Sequence, residues 1–156
     1  PMVDDGKKAP DFELSDSAGE TVLLSRLKGR PVVVYSYPKD DTPGCTTDGK
    51  DFSCLAEDFN KPGSEVLGIS PDSPESHQKF RDKHDLAIRL LADEEHKAAE
   101  AYGVWVEKSM YGRKFMGIER STFLIDGAGK VAQSWRKVRV PGHAEAVLEA
   151  VRALKE

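Results

Sequence analysis

The sequence predicts an α/β fold: a central mixed β-sheet flanked by helices, with an N-terminal β-hairpin extension. Three observations carry this. Strand-length apolar runs alternate with helical patterns through the middle of the chain. One of them, RPVVVYSY (30–37), has a solid β-branched centre, which suits a strand covered on both faces. The last third reads as a hairpin followed by an amphipathic helix. With 156 residues and 38% hydrophobic composition, the chain is expected to form one domain, 1–156, around a real core.

Taken in order, DFEL and TVLL flank SDSAGE, a hairpin signal, and strand 30–37 follows. Helical spacing begins after Gly44, with Phe52, Leu55 and Phe59 at i, i+3 and i+7, and Pro62-Gly63 ends that helix. EVLGIS is the next strand. PDSPESHQKFRDKHD opens with a serine cap and Pro74 at an early helical position. RLLAD gives a short strand, and EEHKAAEAYG a short helix stopped by Gly103. STFLIDGAGKVAQSW is a hairpin about 126–129, too short and in the wrong context for a phosphate loop. HAEAVLEAVRALKE closes the chain, with Val147, Val151 and Leu154 on one side. The order β-β-β-α-β-α-β-α-β-β-α fits a thioredoxin-like fold. The polar pieces at each end, PMVDDGKKAP and KE, read as surface termini, and Pro1 before Met2 as a processing or cloning remnant.

Composition narrows the partners. A formal net charge of −4 argues against nucleic acid and anionic membrane surfaces. The longest apolar runs are too short to span a bilayer, and no basic stretch followed by an apolar one suggests a secretory signal. Two cysteines, Cys45 and Cys54, are too few for a secreted disulfide scaffold, so the cytoplasm is expected. Neither sits in a CxxC pair, and no Cys/His set has zinc spacing. No metal, flavin, haem or nucleotide cofactor is expected. His77 and His84, seven apart, read as surface histidines, and Asp93-Glu94-Glu95 with His96 as a helix start favoured by its dipole. Trp105 and Trp135 read as packing residues.

PKDDTPGC (38–45) runs from the buried strand into a helix start. A free thiol has a pKa near 8.5, whereas the first turn of a helix offers unpaired amides and the positive end of the dipole. Cys45 at that point is a candidate thiolate nucleophile, against the plainer reading of a small residue packed at a helix start. Thr42 brings a hydroxyl within reach, and Pro38 and Pro43 stiffen the loop and shield the sulfur. At ~100° per residue, Cys45 falls near the azimuth of Phe52, Leu55 and Phe59, so its sulfur faces inward to an apolar pocket. Such a pocket admits a small neutral peroxide better than a bulky charged oxidant. Tyr37 and Phe52 are candidates to line it.

YPKDDTPGC resembles the peroxidatic loop of the peroxiredoxins, matching at Pro38, Thr42 and Cys45. LGISPDSPESHQKF, AYGVW and YGRKFMGIERSTFLID resemble the bacterioferritin-comigratory, or Q-type, subfamily, so the similarity covers nearly the whole chain. The resemblance implies that Cys45 attacks a peroxide and becomes a sulfenic acid. It implies that Thr42 hydrogen-bonds the peroxide, that Pro38 limits solvent, that the amides of Gly44 and Cys45 hold an oxygen, and that Arg120 stabilises the thiolate. Asp48 stands where the family often has Glu and is expected to cap or orient the loop. The implied partners are hydrogen peroxide or small alkyl hydroperoxides, and thioredoxin, glutaredoxin or a small thiol as reductant. The implied assembly is a monomer or weak dimer.

The resemblance breaks at the resolving thiol. Where the subfamily carries a second cysteine, this chain has Lys50 at one common site and Phe80-Arg81 at the other. Cys54 remains. Nine helical residues span roughly 13.5 Å, beyond the ~7 Å Cα separation a disulfide allows, so pairing needs the helix to unwind, which Gly49 eases. Cys54 falls on the polar side, and three roles stay open: resolving thiol after unwinding, bystander in a one-cysteine cycle, or intermolecular partner. Two other classes of function carry requirements of their own. A protein-disulfide oxidoreductase needs a close partner thiol, and an oxidation-dependent holdase needs partner binding without turnover.

Overall fold

The computed structural model describes residues 3–154. Pro1-Met2 and Lys155-Glu156, expected as a processing remnant and a polar end, lie outside them. The elements are β1 (Glu13–Asp16), β2 (Thr21–Leu23), a 3-10 turn (Leu24–Leu27), β3 (Val32–Ser36), α1 (Pro43–Cys54), α2 (Ala56–Asn60), β4 (Glu65–Ser70), α3 (Pro74–His84), β5 (Arg89–Ala92), α4 (Lys97–Ala101), β6 (Trp105–Met110), β7 (Arg113–Ile118), β8 (Ser121–Ile125), β9 (Val131–Trp135) and α5 (His143–Ala153).

Seven strands form one sheet in the order β2-β1-β5-β4-β3-β8-β9. β3 sits inside it, parallel to β4 (Val33 opposite Val66) and antiparallel to β8 (Val33 opposite Leu124). All five β3 residues are buried, and their alternation splits the core into two layers. Val32 and Val34 face a layer with Phe12, Leu67, Tyr102 and Phe123 under α4 and the N-terminal segment. Val33 and Tyr35 face the other, with Phe52, Phe59, Phe80 and Val147 from α1, α2, α3 and α5. Cys45 lies in this second layer. Gly68 of β4 makes room for Tyr35 there, since a Cβ at that position would stand 2.8 Å from the Tyr35 ring.

Two expectations need correction, and one gains a detail. The N-terminal polar stretch lies mostly at the surface, as expected, and is stitched down there: the Gly6 and Ala9 amides donate to the Val131 and Gly129 carbonyls at 2.7 and 2.9 Å. Burial of Ala9 and Phe12 anchors that stitch. The helix expected to run on to Pro62 breaks at Leu55 (φ −98°, ψ 8°) and restarts as α2. Residues 105–118, read without an element, form a separate two-stranded hairpin, β6–β7. Its turn places Tyr111 and Gly112 at φ 52° and 77°, the doubly left-handed geometry of the tight hairpin turn, without the usual Asn-Gly signal.

Candidate active site

The site is built where β3 turns into α1. Thr42 is the cap residue, extended at φ −96° and ψ 155°, and Pro43 occupies the first helical position, where an amide would have no intrahelical acceptor. The Thr46 amide makes the first helical bond, to the Thr42 carbonyl at 2.8 Å. Cys45 follows as the third residue of α1, so its amide and that of Gly44 belong to the unsatisfied first turn. Its side chain is only 3% exposed. The expected inward-facing sulfur is what the helix delivers.

Arg120 reaches this sulfur from the short link between β7 and β8. One guanidinium nitrogen, Nη2, donates to Cys45 Sγ at 3.2 Å, and Nη1 donates to Asp48 Oδ2, also at 3.2 Å. Its backbone is held from two sides. The Val138 amide donates to the Arg120 carbonyl at 2.9 Å, and the Ser36 hydroxyl at the end of β3 accepts from the Ser121 amide at 3.2 Å. Gly44 lets the guanidinium close in, because a Cβ there would meet Nη2 at 3.2 Å. Burial disfavours the Arg120 charge, but the Cys45 sulfur and the Asp48 carboxylate outweigh it and leave its pKa raised. Arg120 is a fixed cation against the sulfur.

Asp48, one turn along α1, is 1% exposed, and its Oδ1 has no hydrogen-bond partner. Burial pushes its pKa up from 3.8 to about 6, with Arg120 pulling the other way. Asp48 thus orients Arg120, a closer part in the site than loop capping. Beneath it, Tyr35 stacks on Phe52 with ring centroids 4.6 Å apart, and the Tyr35 hydroxyl is buried without a partner. Burial first, then the Asp48 charge, raises the Tyr35 pKa well above its ordinary value. His143, at the start of α5, shares a 2.8 Å hydrogen bond with Thr122 Oγ1. Burial, then Arg120, lowers its pKa from 6.5 to about 4, so it is neutral at pH 7.

The expected residues fall as follows. Pro38 is half-buried beside the loop, and Pro43 is exposed at the helix start. The Thr42 hydroxyl donates to the Lys39 carbonyl at 2.8 Å and does not bond the sulfur. Tyr37 and Phe52 share the buried layer of Cys45. Cys54 ends α1 as an exposed free thiol. Trp105 is half-buried and stacks on His96 at 3.8 Å, and Asp93 accepts from the Ala98 and Ala99 amides at 3.2 and 2.9 Å, fixing the start of α4. One reading fails: His77 is no surface histidine but fully buried, because Asp40 and the Leu91 carbonyl give both ring nitrogens partners. His84 is half-buried against Phe80.

Sequence reasoning missed Lys108, and no local signal marks it. Its stem crosses Gly117, where a Cβ would stand 3.1 Å from Lys108 Cδ. Burial, then Arg120, lowers its pKa, while Cys45 and Glu119 pull it up. It is a second cation within electrostatic reach of the sulfur.

Residues 6–134 match the AhpC/TSA family. The chain is 51% identical over 154 residues to the peroxiredoxin Bcp of Bacillus subtilis, covering 99% of this chain and 96% of that one. A Xanthomonas campestris bacterioferritin comigratory protein, solved in a study of its alkyl peroxide reduction activity, superposes with a TM-score of 0.90 at 45% identity, covering 96% of this chain and 98% of that one. A Xylella fastidiosa PrxQ mutant superposes at 0.93 with 37% identity, over 98% of both chains. The fold is therefore the thioredoxin-like fold of these peroxiredoxins, as the element order suggested. The chain belongs to the AhpC/TSA family, as a thiol peroxidase of the bacterioferritin-comigratory, peroxiredoxin Q type.

Proposed function

We propose that Cys45 is the peroxidatic nucleophile of a single domain, 1–156. The observation that carries this is the Arg120 guanidinium 3.2 Å from a buried sulfur in the first turn of a helix. Both favour the charged thiolate, the nucleophilic form. The thiolate attacks a peroxide oxygen, an S–O bond forms as the O–O bond breaks, and the departing RO⁻ takes a proton to leave as ROH. The products are a Cys45 sulfenic acid and water or an alcohol. The first-turn amides of Gly44 and Cys45 face the oxygen on which charge develops, so they stabilise the transition state more than the ground state. Thr42 turns its hydroxyl from Lys39 to the peroxide, and Pro38 keeps water from the sulfur.

The substrates are hydrogen peroxide and small alkyl hydroperoxides, a class supported by the alkyl peroxide reduction of the Xanthomonas relative. Two regeneration routes fit the geometry. Cys54 attacks once α1 unwinds, or an outside thiol attacks Cys45 directly. Both need the front of α1 to open, since Cys45 is only 3% exposed. Thioredoxin, or else glutaredoxin or a small thiol, supplies the electrons, and the protein works as a monomer or weak dimer. Two free cysteines suit the reducing cytoplasm, and among the described residues no helix is long and apolar enough to cross a membrane.

The test is Cys45→Ser in a peroxide-consumption assay with thioredoxin and its reductase. The expected result is no turnover. Substantial activity in a folded variant refutes the assignment.

A further inference from the structure

α3 carries two histidines that the chemistry at Cys45 does not use, and both reach the loop that precedes it. His77 is fully buried. Its Nε2 lies 2.9 Å from the Leu91 carbonyl, which only accepts, so Nε2 bears a proton. Its Nδ1 lies 2.8 Å from Asp40 Oδ2, so a further proton is shared between ring and carboxylate. Asp40 also accepts from the Tyr37 hydroxyl at 2.6 Å and from the Ser76 hydroxyl at 2.8 Å. Its amide donates to Asp72 Oδ2 at 2.8 Å, an oxygen that also accepts from the Ser70 hydroxyl at 2.7 Å. Both His77 nitrogens and both Asp40 oxygens are engaged in these bonds, so a metal held by Asp40, Asp72 and His77 together would have to break some of them.

The next residue is clasped too. Asp41 stands at φ 58°, left-handed backbone that a non-glycine residue keeps only when its surroundings hold it. Its carboxylate accepts from Lys83 Nζ at 2.7 Å and His84 Nε2 at 2.8 Å. His77 and His84, two turns apart, thus grip two consecutive aspartates from one face of α3. The residue after them is Thr42, and Cys45 lies three beyond that.

We propose that these pairs are the latch of the peroxidatic loop, with His77, Asp40, Asp72, Asp41 and His84 as positioning residues. The inference rests on the reading of Cys45 as nucleophile. That reading gives the loop two opposed duties. Closed, it must hold Thr42 and the first turn of α1 in register with Arg120 for attack. Open, it must release Cys45 to a second thiol. The buried pair supplies the strength of the closed state. The pair nearer solvent sits at the strained residue next to the helix and is the first to give way.

The test measures two rates in the full-length chain. One is the second-order oxidation of Cys45 by hydrogen peroxide. The other is capture of the Cys45 sulfenic acid by a dimedone-type reagent, which requires opening. In His77→Gln, oxidation is expected to slow on the order of tenfold to a hundredfold, the cost of small misplacements in a reacting geometry, while capture speeds up. Asp41→Asn and His84→Gln, on the pair nearer solvent, should shift both rates in those directions by less, and they decide the matter if His77→Gln does not fold. A merely structural role lowers Tm without moving the rates oppositely. Any pattern other than slower oxidation with faster capture overturns the latch. Absence of any oxidation at Cys45 in the unaltered protein, whether as sulfenic acid or as a Cys45–Cys54 disulfide, overturns the nucleophile reading as well.

Discussion

The two ends of α1 carry the two cysteines, and they differ in every respect that governs thiol chemistry. At the front, Cys45 is buried, sits among first-turn amides and touches a guanidinium at 3.2 Å. At the back, Cys54 is exposed beside the break at Leu55, where the dipole presents its negative end. The same side chain thus meets a buried, cationic setting at one end and an exposed one at the other, which is the contrast behind the proposed role of Cys45. The difference comes from position on the helix and from one arginine delivered by the link between β7 and β8.

The sharpest way to break this contrast is to exchange the thiols' fates. Cys45→Ser is expected to abolish peroxide consumption, whereas Cys54→Ser should leave the rate of the first oxidation unchanged and alter only the product that follows. Equal losses in rapid-mixing oxidation assays would erase the asymmetry. Arg120→Ala comes next, with oxidation at neutral pH slowed by roughly a hundredfold, the usual scale for removing one preorganised donor. Arg120→Lys should recover only part of this, since an ammonium cannot serve Cys45 and Asp48 together as the fork does. Gly44→Ala pushes a methyl against Nη2 and should cost about tenfold in the oxidation rate with little change in Tm.

The smallest effects concern pH. Asp48 has its pKa raised from 3.8 to about 6, so its contribution to stability is full below pH 3.8 and is lost as pH rises through 6. His143 has its pKa lowered from 6.5 to about 4, so its contribution is full above pH 6.5 and is lost as pH falls through 4. The two slopes oppose each other across that window, so they largely offset in the unaltered protein. Unfolding titrations between pH 4 and 6 should therefore show stability falling with pH in His143→Gln and rising in Asp48→Asn. Parallel slopes in the two variants would remove this opposition.

The sequence made most of the large sheet legible because β3, β4, β5 and β8 each have an apolar centre. The start of α3 was legible too, and Ser73 does accept from the Ser76 amide at 3.1 Å. Helical geometry alone separated Cys45 from Cys54 by face. The β6–β7 hairpin was hidden because neither face is covered enough to force an alternating pattern: Met110, Tyr111, Phe115 and Met116 are exposed. His77 was misread because its partner Asp40 lies 37 residues away, and no local pattern reveals a polar group satisfied at that distance. Arg120 was found only through resemblance, since its contact with Cys45 spans 75 residues.

The most direct test of the account is intact and peptide-level mass after one equivalent of hydrogen peroxide, without added thiol and with a sulfenate-trapping reagent present or absent. Oxidation is expected to begin at Cys45. It appears either as a trappable gain of one oxygen there or as loss of two hydrogens in a Cys45–Cys54 disulfide, and nothing happens at this dose in Cys45→Ser. Oxygen added at Cys54 while Cys45 stays reduced would contradict it.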